Sequence, residues 1–298
     1  MSAPAAPPSN VPLAALWMTG AVVAFSSMAI AGRELSTELS TFELMTYRSA
    51  IGMVLVLVIG AAAGTLSQIR MNRMRDHTLR NVFHFTGQNL WFWAVGVIPL
   101  SQVFALEFTS PLWVMVLAAV FLGERLTWVK GLAGLAGFIG VLIVVQPGTA
   151  PLSGGMVAAA SAALAFAITA IFTKRLTRDQ SITCILFWLT AIQLALGLAF
   201  CLYDGAMAWP ALSAWSWVVV VAVSGLVAHF SLTSAIALAP ASVVMPIDFI
   251  RLPVIGGLAF VLYGEPLEWT VVLGAALIFG ANYVNILTEH RRSRAIIR

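Results

Sequence analysis

Charge is what this chain lacks. Asp, Glu, Lys and Arg make up only 9% of its 298 residues, where a soluble domain carries about 25%. Lysine occurs just twice, at Lys130 and Lys174. So few charges cannot cover a water-facing surface, and they exclude disorder, which needs high charge and low hydrophobicity. Cysteine is scarce too. Cys184 and Cys201 share one apolar run; as a helix it would hold them about 25 Å apart, too far to bridge. A disulfide framework and a cysteine metal site are both excluded. The sequence also lacks a phosphate-binding glycine-lysine loop, His-Glu-x-x-His and Gly-x-Ser-x-Gly. That removes an ATP-driven pump and the simple membrane protease and hydrolase readings. No catalytic residue, metal or cofactor is expected, and a membrane enzyme would need a nucleophile–base pair that is not there.

What the chain has in abundance is apolar surface. Hydrophobic residues reach 60% and the mean hydropathy is +0.95, against about 45–50% apolar in soluble domains. The fold class is an all-α integral membrane protein. A pI near 9.5 could suggest nucleic acid, but the basic residues sit in short clusters between apolar runs, where they act as topology signals; no nucleic-acid partner is expected. At roughly 20 residues per crossing, ten spans are expected near 12–32, 42–63, 81–98, 101–122, 129–146, 154–173, 181–203, 215–238, 241–262 and 269–288. Residues 1–10 read as a loose Pro/Ala tail and the first apolar run as a retained span, because no basic residue precedes it as a cleavable signal would require. With the N-terminus inside, 13 of 16 basic residues fall in inner loops or the basic tail 291–298, and only Arg33 lies in an outer loop. Both termini are therefore placed in the cytoplasm of a cell with this protein in its inner membrane.

The chain repeats itself. Gly-Glu-x-Leu-x-Trp occurs at Gly123–Trp128 and again at Gly264–Trp269, an offset of 141 residues. The same shift pairs Pro99 with Pro240, Ser101 with Ser242, Glu107 with Asp248, Ala24-Phe25 with Ala165-Phe166, and Ser40 with Ser181. One gap-free offset relates residues 11–149 to residues 152–290. Each copy holds five spans, an odd number, so the second enters the membrane upside down. Two inverted five-helix repeats are how many secondary transporters obtain two related conformations, with the substrate held at the repeat interface.

These features resemble the EamA family of the drug/metabolite transporter superfamily. The resemblance rests on the five-plus-five plan, on Arg48 early in the second span, and on Pro99-Leu-Ser-Gln followed by Phe108-Thr-Ser-Pro111-Leu. Gly123-Glu124-x-Leu followed by Gly131, Gly134, Gly137 and Gly140 completes it. In the second half Leu189 stands where the first has Arg48, and the glycine series shrinks to Gly274 and Gly280. The resemblance implies a ten-helix inner-membrane carrier working by alternating access on small metabolites, with aromatic amino-acid exporters of the same general plan.

Ionisable residues inside spans are costly and point to function by default. Glu107 is expected in the outer third of the fourth span and Asp248, its mate, in the inner third of the ninth. They would be gates or substrate contacts at opposite ends of one cavity, or else carboxyls bracing kinks near Pro111 and Pro253. Asp248 and Arg251 are three apart on one helical face and can pair, either as a breakable latch or as a static brace. Arg48 reads as a structural residue reaching outward to Glu43. In the third span His84 and Gln88 share a face, and the offset sets His229 opposite Gln88; a lone core histidine is usually structural, whereas matched polar groups on inverted helices suit a cavity lining. Trp91 joins them. Phe25 and Phe166 are repeat mates and would form one symmetric wall, although most membrane aromatics are packing or interface anchors. The glycines bring helices close.

The reading that follows is a secondary carrier exporting a small metabolite, an amino acid by preference, through a site between spans 1, 3, 4, 6, 8 and 9. A single copy in contact with membrane lipid is taken as the working unit. An importer of a related metabolite, or an exporter of aromatic cations using Glu107 as counter-charge, is the alternative.

Overall fold

The structure is a computed structural model, and it describes residues 10–122, 128–146, 152–177, 179–205, 207–238, 247–248, 250–266 and 268–296, with the backbone alone at some helical positions such as 285–296. Its described α-helices are α1 (Val11–Leu35), α2 (Thr41–Ala62), α3 (Met74–Val97), α4 (Leu100–Glu107), α5 (Ser110–Leu122), α6 (Trp128–Val145), α7 (Gly154–Leu176), α8 (Ile182–Asp204), α9 (Trp215–Leu238), α10 (Arg251–Tyr263) and α11 (Trp269–Ile296). Five of them, α1, α2, α7, α8 and α9, contain stretches long and apolar enough to cross a membrane unaided.

Local chemistry sets the boundaries. Ser40 opens α2 with a reciprocal capping box: its hydroxyl accepts from Glu43 N–H while the Glu43 carboxylate accepts from Ser40 N–H. Its repeat mate Ser181 caps α8 through Cys184 N–H. Asn10 caps α1, so the last residue of the expected N-terminal tail belongs to the fold; residues 1–9 lie outside the described residues. Pro99 ends α3, since the residue before a proline avoids helical angles and Ile98 is extended.

The offset of 141 recurs in the coordinates. It carries the limits of α3 onto those of α9, and those of α5 onto those of α10. Packing follows the same operation. The dominant contacts are α1 on α9, α3 on α7, α2 on α8 and α6 on α11. Shifting α1 by the repeat gives α7 and shifting α3 gives α9, so the first two pairs are images of one another. The halves interlock around a pseudo-two-fold axis.

Two expectations are revised. The fourth span is broken: α4 stops at Glu107, and α5 starts at Ser110. Pro111 has no N–H to give the carbonyl of Glu107, four residues earlier, and this releases the chain. Thr109 Oγ1 turns back to donate to Leu106 O at 2.7 Å. The tenth span runs on to Ile296, because the basic segment from residue 291 has no breaker and helix formers such as Arg and Ala continue the turn. Gly123–Leu126, Pro240 and Ser242 of the repeat lie outside the described residues.

Gly140 and Gly274 bring two helix backbones close together. A Cβ on Gly140 would stand 2.7 Å from Gly274 O, and one on Gly274 would stand 2.6 Å from Gly140 O. They seat α6 against α11, as small residues do in membranes. Gly137 sits against Leu112, whereas Gly131 and Gly280 face open space.

Candidate functional site

The break between α4 and α5 leaves Glu107 at a helix end deep in the bundle. Asp248 lies three residues before Arg251, which opens α10. Arg251 Nη2 donates to Glu107 Oε1 at 3.1 Å and to Asp248 Oδ2 at 2.9 Å. Glu107 Oε2 accepts a further bond from Trp91 Nε1 at 2.7 Å. The guanidinium carbon lies over three rings, Phe25 at 4.7 Å, Phe108 at 5.0 Å and Phe104 at 5.1 Å. Each face-on contact of this kind contributes about 0.5–2 kcal/mol, which helps offset the cost of taking Arg251 out of water; the residue is 4% exposed.

This geometry corrects the expectation that Glu107 and Asp248 stand at opposite ends of a cavity. They converge on one guanidinium. The reason is the symmetry itself: repeat mates close to a pseudo-two-fold axis meet at it, and the break after Glu107 places that residue there. The Asp248–Arg251 pairing itself is present as the three-residue spacing indicated.

A row of rings leads inward from Arg251. Phe25 meets His229 edge-on at 5.8 Å, His229 meets His84 at 5.3 Å, and His84 meets Phe166 at 5.8 Å. Phe25 and Phe166 therefore flank the two imidazoles from opposite sides and do not make one wall. Phe166 fits because Gly87 carries no side chain; a Cβ there would stand 2.9 Å from the ring. Both nitrogens of His84 are buried with no hydrogen-bond partner among the described residues, as are Asn89 Oδ1, Asp248 Oδ1 and Arg251 Nε. An unpaired buried polar atom costs about 1–3 kcal/mol. Such a concentration on α3 and at the start of α10 marks the place where a polar guest has most to gain.

Gln88 takes a different partner from the one its face suggested. Its Oε1 accepts from Arg48 Nη1 at 2.9 Å, and Met45 Sδ lies 3.6 Å from the same nitrogen. Arg48 does not reach outward to Glu43, whose carboxylate is already taken by Ser40 N–H and Ala208 N–H. It turns inward instead, into the space left by Gly225 on α9, where a Cβ would stand 2.7 Å from Nη2. The offset makes Gly225 the mate of His84 and Leu189 the mate of Arg48. The position that His84 fills in the first half is thus without a side chain in the second, and the Arg48 guanidinium reaches across from the first half to occupy it.

All nine residues singled out in the sequence lie in this central region or touch a residue that does. Arg48, read from the sequence as a structural residue, and Phe104 and Phe108, not named there as site residues, are part of it too. The absent side chain at Gly225 was the available signal for Arg48. A recess elsewhere is a furrow of about 480 Å³ between α1 and α9, lined by residues such as Leu16, Val23 and Val227. Those three are well exposed, so it is a lipid-side feature. Among the described residues no three His, Cys, Asp or Glu side chains gather as a metal site would need.

Comparison with known proteins agrees with the architecture. The chain is similar to a riboflavin transporter of Brucella anthropi, with 30% identity over 83% of this chain and 88% of the relative. It is also similar to an S-adenosylmethionine uptake transporter of Rickettsia bellii, at 23% identity over 92% and 94% of the two chains. A pseudopaline exporter of Pseudomonas aeruginosa matches over a shorter stretch, 31% identical across 41% of this chain and 43% of its own. A solved crystal structure with 21% identity shares the fold at a TM-score of 0.65, covering 93% of this chain and 98% of its own. The model of the EamA-like transporter family matches twice, at residues 12–146 and 153–287. Two copies of that model on two interlocked sets of helices mean that this all-helical membrane protein belongs to the EamA-like transporter family.

Proposed function

We propose that the chain is a secondary carrier for a flat, nitrogen-rich metabolite with polar or charged substituents, bound among Phe25, His84, Gln88, His229 and Phe166 and released by rocking of the two repeats. The row of four rings carrying His84's unpaired nitrogens is the observation that supports this reading. Edge and face contacts suit a heteroaromatic plane, and the unpaired groups suit its ring nitrogens and carbonyls. The relatives named for riboflavin and S-adenosylmethionine carry compounds with fused heteroaromatic rings, which favours this class over the amino acids expected from the sequence. Amino-acid transport remains the second reading, favoured by Arg251 beside Glu107 and Asp248, a constellation able to face both ends of a zwitterion. The distribution of basic residues supports both termini in the cytoplasm.

The test is counterflow in proteoliposomes preloaded with riboflavin, S-adenosylmethionine or a mixture of amino acids, following uptake of the matching tracer. Riboflavin or S-adenosylmethionine exchange above protein-free vesicles, lost in His84→Ala, is the expected outcome. Exchange of amino acids alone would replace this reading with the second one.

A further inference from the structure

Two carboxylates share one guanidinium in the Arg251 cluster, and the electrostatic balance has a consequence. We propose that Glu107 and Asp248 together hold one exchangeable proton, and that the cluster is the proton-coupling site of transport. This rests on the carrier reading above and adds the coupling ion to it.

The geometry carries the argument. Glu107 uses both oxygens, one on Arg251 and one on the Trp91 indole. Asp248 uses only Oδ2, and Oδ1 is buried without a partner among the described residues. An ionised oxygen in that position would be the costliest atom in the cluster, because nothing replaces its hydration. Two carboxylates this close cannot both stay charged cheaply beside one cation.

The surrounding elements add no second cation among the described residues. From α1 comes Phe25, from α3 the uncharged Trp91, from α4 Phe104, and from the α4–α5 break Phe108, itself packed on Phe279 of α11. The titratable group on α9 is His229, whose ring meets Phe25 edge-on. The charges acting on Glu107 are those of Arg251 and Asp248. One proton makes the cluster neutral. When it leaves for water, the cluster carries one net negative charge, which a cationic group of the substrate or a newly bound proton can neutralise. Because Arg251 heads α10 and Glu107 ends α4, separating those helices alters the balance that holds the proton.

Infrared spectroscopy tests this without any substrate. Purified wild-type protein at neutral pH should show the carbonyl stretch of a protonated carboxylic acid. Asp248→Asn should lose it or move it to Glu107, and the Glu107→Gln, Asp248→Asn double variant should lose it entirely. Thermal unfolding gives a second reading: either amide alone should leave the midpoint close to wild type, and the double variant should lower it by stranding Arg251. A wild-type spectrum with no such band, or a band that survives in the double variant, would overturn the proposal. So would single variants as unstable as the double. Failure of the counterflow assay with an intact band would instead reject the substrate assignment and leave the proton site standing.

Discussion

At the scale of single residues, the placement of Arg48 depends on an atom that is missing. Gly225 gives the guanidinium its room against α9, and Gln88 gives it an acceptor at 2.9 Å. Gly225→Val should therefore expel Arg48 from the centre, at an overpacking cost of about 1–3 kcal/mol. Arg48→Leu, which copies the mate Leu189, should recover that stability without restoring transport; thermal unfolding and counterflow check the two halves of the statement. His77 gives a pH prediction at the same scale. It lies near the start of α3, ahead of the expected third span, and neither ring nitrogen finds a partner among the described residues. Burial first, and Arg80 second, push its pKa down to about 4, against weaker upward pulls from Asp76 and Asp179. With the folded value below the ordinary 6.5, the unfolded chain binds the proton more readily. Stability that His77 contributes is complete above pH 6.5 and is lost as pH falls from there towards 4. His77→Phe should flatten the dependence of the unfolding midpoint over that window.

At the scale of elements, the interrupted span matters most. Pro111 withholds a donor from the Glu107 carbonyl, so Pro111→Ala should let α4 and α5 join into one helix and turn Glu107 away from Arg251. The expected result is equal or greater thermal stability with reduced transport, a pairing that a simple packing defect would not produce. Gly140→Val should do the opposite. Its side chain meets the Gly274 backbone, so α6 and α11 must part, and stability should fall by roughly 1–3 kcal/mol. Much of this was legible beforehand. Apolar runs gave the spans, and the 141-residue offset gave the repeat and the mating of Glu107 with Asp248. The meeting of those two at one guanidinium was not legible, because an offset along the chain carries no distance from the symmetry axis. The inward turn of Arg48 was hidden for a similar reason. Its nearest sequence partner, Glu43, was already spent on a capping box, and its true partners lie on α3 and α9, which no helical spacing within α2 reveals.

At the scale of the whole molecule, the bundle is tied at both ends. At one end Arg73, Asp76, Arg175 and Asp179 join the start of α3 to the end of α7, with Arg73–Asp76 at 3.0 Å and Arg175–Asp76 at 3.2 Å. At the other, Arg33 of α1 donates to Glu265 at 2.7 Å, to Ile98 O at 2.6 Å and to Val95 O. Glu265 also accepts from Leu100 N–H at 2.8 Å, capping α4. One ion pair thus binds the end of α1, the α3–α4 turn and the loop after α10, all elements that carry central-site residues. The repeat shift takes Arg33 onto Lys174 and Glu265 onto Glu124, so the sequence retains opposite charges at the related positions, with Glu124 outside the described residues. A carrier that alternates must break such ties in turn. Charge-assisted bonds of this kind contribute roughly 1.5–3 kcal/mol, enough to move a two-state equilibrium more than tenfold. Arg33→Gln and Glu265→Gln should each speed hydrogen exchange at Leu100 and along the α3–α4 turn, and the double variant should be little worse than Glu265→Gln alone, because both act through one pair. Additive effects, or exchange at Leu100 unchanged by either substitution, would mean that this end of the bundle is closed by apolar packing and that the ion pair rides on it.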